Sequence, residues 1–231
     1  MKTPLLIIAI TGSYNIYGGC FTEHVREGRH LNQQRRSQYF DLAQKHGLGK
    51  EAKKVSRSLI GLENLMIPFA RYFDFRAKKY KDINLFCDEF VDINLSPDFT
   101  TKPAKIPSEK FVKKLKIVKS YEKEVRELLQ NYKWEEVREL SHEVISKFPN
   151  KETHCLQKHF IESIGRIAWL APDKIEMAKD NNLKNPKRLI SSMIKLHFMG
   201  FGYAQRIDAK AYELQKVGIP IVCRDIPPVK F

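Results

Sequence analysis

Glu139 and His142 have the spacing in this sequence that comes nearest to a catalytic motif, since they lie three apart in a segment of helical periodicity. Side chains three apart on a helix project together, and di-iron carboxylate bundles combine two Glu-x-x-His motifs with two more carboxylates. His159 and Glu162 repeat the pair only in reverse order. We therefore predict ordinary polar residues on a helix surface, with no metal and no cofactor. A helical metalloenzyme using these four residues is the weakest alternative.

Other arrangements for catalysis are incomplete. His154, Cys155 and His159 lack a fourth ligand nearby, which a closed zinc site would need. The chain contains neither a G-x-S-x-G nucleophile motif nor a glycine-rich phosphate loop. The sequence therefore predicts a protein that is not an enzyme.

The segment from residue 50 to 80 has the clearest helical pattern. Apolar residues recur every three or four positions, which places them on one face of a long helix: Val55, Leu59, Leu62, Met66, Phe69, Phe73, Ala77 and Tyr80. Pro68 lies inside this pattern and removes one backbone donor, so we predict a kinked helix or two abutting ones.

The remaining segments predict an all-α fold, a helical bundle in two regions joined by a proline-rich linker. Residues 20–96 form the first region, 97–108 the linker, and 109–231 a C-terminal bundle with an extended tail. We expect a polar tether at 21–28 before a helix over 29–46. In the second region we expect Pro172 to end one helix, and Gly200 and Gly202 to separate two others. No internal repeat is apparent.

The net charge of +14 predicts attraction to polyanions. Lysine and arginine surround the apolar face of the long helix and continue after the linker. The candidate polyanion-binding residues are Lys53, Lys54, Arg57, Arg71, Arg76, Lys78, Lys79, Lys113, Lys114 and Lys116. Aromatic residues lie among the first seven, but most belong to the apolar face, so nucleic acid is a less favoured partner that stays open.

The first twenty residues have the layout of an export signal: Lys2, an apolar run over 5–10, and Gly18-Gly19 before Cys20. This segment resembles the signal peptides of bacterial lipoproteins, although Tyr17 stands where leucine is usual. The resemblance implies cleavage after residue 19 and a lipid anchor on Cys20. For Cys87, Cys155 and Cys223 we expect isolated buried thiols in preference to one disulfide and one free thiol.

These observations predict an exported envelope protein, anchored to the membrane through Cys20, with a non-catalytic binding or scaffold role. Its partners would be the membrane surface and an acidic protein. Basic residues near anionic lipid would strengthen the anchorage. The alternative is a cytoplasmic, basic helical protein that binds nucleic acid or serves as a subunit of an assembly.

Overall fold

The computed structural model describes residues 19–78, 117–147, 155–217 and 219, and every regular element in these ranges is an α-helix. The six helices are α1 (Cys20–Lys45), α2 (Gly49–Lys78), α3 (Ile117–Gln130), α4 (Trp134–Ser146), α5 (Cys155–Asp180) and α6 (Pro186–Lys216). The predicted all-α helical bundle is confirmed. The proline-rich linker at 97–108 and the tail beyond residue 219 lie outside the described residues.

The helices pack in an order that differs from their order along the chain. Helix α1 packs on α2, α2 on α6, α6 on α5, α5 on α4, and α4 on α3. Their buried apolar residues form one cluster that extends from Tyr39 in α1 to Ile219 after α6. The helices before and after the predicted linker therefore share a core.

Helix α1 begins at Cys20, so the prediction of a polar tether over residues 21–28 is wrong. Asp74, on α2, accepts hydrogen bonds from the backbone N–H groups of Phe21 (3.2 Å) and Thr22 (2.9 Å). The carboxylate thus satisfies amide groups that have no partner within the helix. A residue 53 positions away completes the helix end, and the local sequence gave no sign of it.

Helix α2 extends from Gly49 to Lys78 as one element that contains Pro68. The predicted apolar face is confirmed where the structure describes it, because Val55, Leu62 and Phe73 are buried in the core. Burial of this face compensates for the roughly 3 kcal/mol that an interior proline costs.

The second region contains two corrections. Pro172 lies inside α5, and Gly200 lies with Gly202 inside α6, so none of the three ends a helix. Ala171 and Ile175, on either side of the proline, are buried. Packing of the helix therefore outweighs the local preference of proline and glycine. Helix α6 begins at Pro186, directly after Asn185, a pair of residues that favours the start of a helix.

Helix α5 is completed in the same way as α1. Asp208, on α6, accepts hydrogen bonds from the backbone N–H groups of Leu156 (3.4 Å) and Gln157 (3.0 Å), and from the Gln157 side chain (3.0 Å). Asp208 is buried. Each long helical hairpin, α1–α2 and α5–α6, is thus closed by an aspartate from its second helix.

Candidate anion-binding cleft

The four weak metal candidates do not come together. Glu139 and His142 are exposed on α4, and His159 and Glu162 are half-buried on α5. Glu162 forms an ion pair with Lys158 at 2.9 Å, one turn away on the same helix. Among the residues that the structure describes, no group of three or more histidine, cysteine, aspartate and glutamate side chains could hold a metal ion.

Cys20, the predicted lipid anchor, is the first residue of α1, and its sulfur is in a disulfide bond. The chain has four cysteines, so the partner is Cys87, Cys155 or Cys223. At least one of these three is therefore not the isolated thiol that we predicted. A sulfur bonded in a disulfide cannot also carry a lipid thioether, so the two states of Cys20 exclude each other.

The predicted basic residues are spread along α2. Lys53, Lys54 and Arg57 are exposed near its start, and Arg71 is exposed near its end. Nineteen residues separate Arg57 from Arg76, which is about 28 Å along a helix. They cannot bind one small anion. The other candidates add no side chain to this description: Lys78 is the last residue of α2 and its side chain is not described, while Lys79, Lys113, Lys114 and Lys116 lie outside the described residues.

One of the predicted basic residues, Arg76, lines a cleft of about 400 Å³ between the end of α2 and the start of α6. Arg188 lines the same cleft from α6. The remaining lining residues are an aromatic ring, an amide, an apolar side chain and a hydroxyl: Tyr72, Asn185, Leu189 and Ser192. Two guanidinium groups that belong to different helices therefore share one concave surface.

The cleft has the electrostatics of an anion site. None of the six lining residues that the structure describes is acidic, and two of them are arginines. The cleft also lies at the N-terminus of α6, where the partial positive charge of the helix dipole adds to theirs. Arg76 is half-buried, which places its charge in a medium that screens it less than bulk water.

The helices fix the lining residues in different ways. Tyr72 and Arg76 are one turn apart on α2, with Phe73 between them buried in the core. On α6, Leu189 is buried, and the Ser192 hydroxyl donates a hydrogen bond to the Arg188 carbonyl oxygen at 2.8 Å. The buried neighbours hold each helix in place, and the polar side chains are presented at the junction.

Sequence reasoning missed Tyr72, Asn185, Arg188 and Ser192 as site residues. Asn185-Pro186 marks the start of a helix, and Arg188 follows within its first turn, so the local signal was present. No signal in the sequence linked Arg188 to Arg76, because the two arginines are 112 positions apart and share a cleft only through the packing of α2 on α6.

Asp208, which is buried, and His197, which is half-buried, are ionisable groups outside the cleft. Burial raises the pKa of Asp208 to about 7, although the hydrogen bonds from Gln157 and Leu156 act in the opposite direction. Burial also lowers the pKa of His197, whose ring bonds the Met193 carbonyl oxygen at 2.8 Å. Each bonds a helix backbone, so we assign both groups a structural role.

Across residues 19–78, 117–147 and 155–217, no helix combines the length and the apolar character that crossing a bilayer requires. Comparison with known proteins gives no family assignment: no protein-family model, no curated protein and no solved structure matches the chain.

Proposed function

We propose that this chain is an exported, non-catalytic binding protein whose ligand carries a phosphate group, held in the cleft between α2 and α6. The observation that carries the proposal is that Arg76 and Arg188 line one cleft whose described lining includes no acidic residue. Arginine suits phosphate because its planar group presents paired N–H donors to two oxygens at once.

The dimensions of the cleft support a small ligand. Pockets that bind small molecules have volumes of roughly 300–1,000 Å³, and this cleft measures about 400 Å³. Tyr72 is 49% exposed and offers a ring face and a hydroxyl to the rest of the ligand. Among the residues that the structure describes, the lining of the cleft contains no His, Cys, Asp or Glu that would serve as nucleophile or general base, so we assign it binding without catalysis.

Export is supported by the disulfide bond of Cys20, since disulfides persist in oxidising compartments and are rare in reducing ones. Helix α1 begins at the residue that follows the predicted signal segment. The lipid anchor on Cys20 stays a prediction, and it requires a chain in which this sulfur is not in a disulfide. A disulfide-bonded chain would be released from the membrane.

Binding is tested by titrating the full chain with glycerol 3-phosphate and, separately, with vesicles of phosphatidylcholine containing phosphatidylglycerol. The first probe represents a free phosphate ester and the second a lipid headgroup. Hydrogen bonds to a charged group are worth roughly 1.5–3 kcal/mol each. We therefore expect R76A and R188A each to weaken binding about tenfold or more.

The matched control is Arg57→Ala, which removes one exposed arginine from α2 far from the cleft. It should bind both probes as the natural chain does. Equal weakening by R57A and R76A would mean that the charge of the whole molecule attracts the probe, and the cleft proposal would be wrong. Binding that appears only with nucleic acid would favour the cytoplasmic alternative.

Export is tested by the intact mass of the native protein under non-reducing conditions. We expect a chain that has lost residues 1–19. An added acyl mass on that chain would support the lipid anchor. A chain that begins at unmodified Met1 would contradict export.

A further inference from the structure

We infer that the chain contains two copies of one disulfide-closed helical hairpin, with Cys20 bonded to Cys87 and Cys155 bonded to Cys223. The first copy is built on α1 and α2, and the second on α5 and α6. This inference does not depend on the ligand proposed for the cleft. It overturns the expectation that the sequence has no internal repeat.

The first helix of each copy opens with the same pattern. Residues 20–27 read CFTEHVRE and residues 155–162 read CLQKHFIE, so both fit C-x-x-x-H-x-x-E. Helices α1 and α5 both begin at the cysteine, and both are 26 residues long. Helices α2 and α6 are 30 and 31 residues long.

The aspartate caps occupy matching places. Asp74 accepts hydrogen bonds from the second and third residues of α1, and Asp208 from the second and third residues of α5. Each aspartate lies in the second helix of its own hairpin. A cap from a residue about 52 positions away is not a common local device, and its occurrence at both sites indicates one shared plan.

The turns between the helices also match. The Leu48 N–H bonds the Ala43 carbonyl oxygen at 2.8 Å, and the Leu183 N–H bonds the Ala178 carbonyl oxygen at 2.7 Å. In both turns the residue before the leucine has a positive φ, 71° at Gly47 and 59° at Asn182. This is the left-handed position that ends many helices.

The buried faces of α2 and α6 correspond at a fixed offset. For four of the five apolar residues of α2 that the structure shows as buried, adding 134 to the residue number gives a buried apolar residue of α6; Ala52 is the exception. The pairs, buried in every case, are Val55 with Leu189, Leu62 with Leu196, Ala70 with Ala204, and Phe73 with Ile207. The same offset relates the two capping aspartates. The correspondence therefore extends along α2 and α6, beyond the opening residues of α1 and α5.

The cysteines follow the same repeat. Cys87 lies 67 residues after Cys20, and Cys223 lies 68 residues after Cys155. Four cysteines permit three pairings, and only the pairing within each copy gives both copies the same bond. Cys20 is in a disulfide bond, as this pairing requires. Cys87 and Cys223 lie outside the described residues, so their assignment rests on this spacing.

Each bond forms by oxidation of two thiols. One S–S bond forms, and two protons and two electrons pass to the disulfide of a thiol-oxidising protein, which is reduced to a dithiol. The oxidised chain is therefore four hydrogens lighter than the reduced chain. This chemistry belongs to an oxidising compartment.

The pairing is tested on the full chain recovered from an oxidising compartment, alkylated in denaturant without reduction, and digested with trypsin. We expect residues 152–158 linked to residues 217–224, and the peptide of Cys20 linked to residues 82–105. Alkylation of any cysteine, a link between Cys20 and either Cys155 or Cys223, or a lipid on Cys20 would overturn the proposal.

Two matched variants give an independent readout. In C223S only Cys155 should react with the alkylating reagent, and in C87S only Cys20 should react. Alkylation of Cys20 in C223S or of Cys155 in C87S would contradict pairing within each copy. So would the loss of both disulfides in either variant when the chain is secreted.

Discussion

Two effects act in opposite directions on the charged form of the Asp208 side chain. It is buried, which disfavours its charged form, and it accepts three N–H hydrogen bonds at the start of α5, which favour that form. Burial is the larger effect, and the pKa is raised to about 7. The second hairpin is therefore closed by a group that changes charge near neutral pH.

This shift predicts a dependence of stability on pH. The folded protein retains the Asp208 proton between pH 3.8 and about 7, where the unfolded chain has lost it. The stability that this proton contributes is full below pH 3.8 and is lost as the pH rises to about 7. The free energy of unfolding should fall by up to about 1.4 kcal/mol per pH unit over that range.

Urea denaturation at a series of pH values checks this, with Asp208→Asn for comparison. Asparagine cannot titrate. The free energy of unfolding of the natural chain minus that of D208N should therefore decrease as the pH rises to about 7 and then stay constant. The control is Asp173→Asn, which removes an exposed carboxylate. A difference that grows with pH would show that the hydrogen bonds outweigh burial.

At the scale of the helix, α5 and α6 pack tightly at Gly200. A Cβ atom there would come within 3.0 Å of the Phe160 ring, which is itself buried and contacts the His197 ring at 5.9 Å. The buried ring would have to shift to admit a methyl group at Gly200. Gly202 differs, because a Cβ atom at that position would meet nothing within 4 Å.

The two glycines therefore form a matched pair within one helix. Gly200→Ala should lower the free energy of unfolding by about 1–3 kcal/mol through overpacking. Gly202→Ala should raise it by about 0.5–1 kcal/mol, since alanine loses less backbone entropy in a helix. Thermal denaturation followed by far-ultraviolet circular dichroism measures both. Equal stability of the two variants would contradict the close packing at Phe160.

At the scale of the whole molecule, the two hairpins join through α2 and α6. These helices contact each other, and the Lys210 side chain donates a hydrogen bond to the Ser58 hydroxyl at 3.0 Å between them. Apolar residues of both hairpins belong to one core cluster. We therefore expect the chain to unfold as one cooperative unit, despite its repeated plan.

Asp74→Ala tests this expectation. It removes the cap of α1 and should cost about 1–2 kcal/mol. The only two tryptophans, Trp134 and Trp169, lie outside the first hairpin. In urea denaturation of the variant, the midpoint measured by tryptophan fluorescence should shift as far as the midpoint measured by circular dichroism. The control is Asp41→Ala at an exposed site of α1. A fluorescence midpoint that does not move would mean that the hairpins unfold separately.

The sequence by itself determined the helical class, the buried face of α2 and the start of α6, because these depend on periodicity and on the first residues of a helix. It misplaced the start of α1 and placed false helix ends at Pro172, Gly200 and Gly202. The Asp74 carboxylate sets the start of α1, and burial of the neighbouring Ala171 and Phe201 continues α5 and α6 through the proline and the two glycines.

Only the tertiary structure decided what the basic residues can bind. From the sequence, Arg76 was one of ten candidates along the chain, and Arg188 was not among them. The packing of α2 on α6 brings the two into one cleft and leaves Arg57 far away. The net charge follows from the composition. A binding site needs charged side chains that lie close together, and here that depends on contacts between residues more than a hundred positions apart.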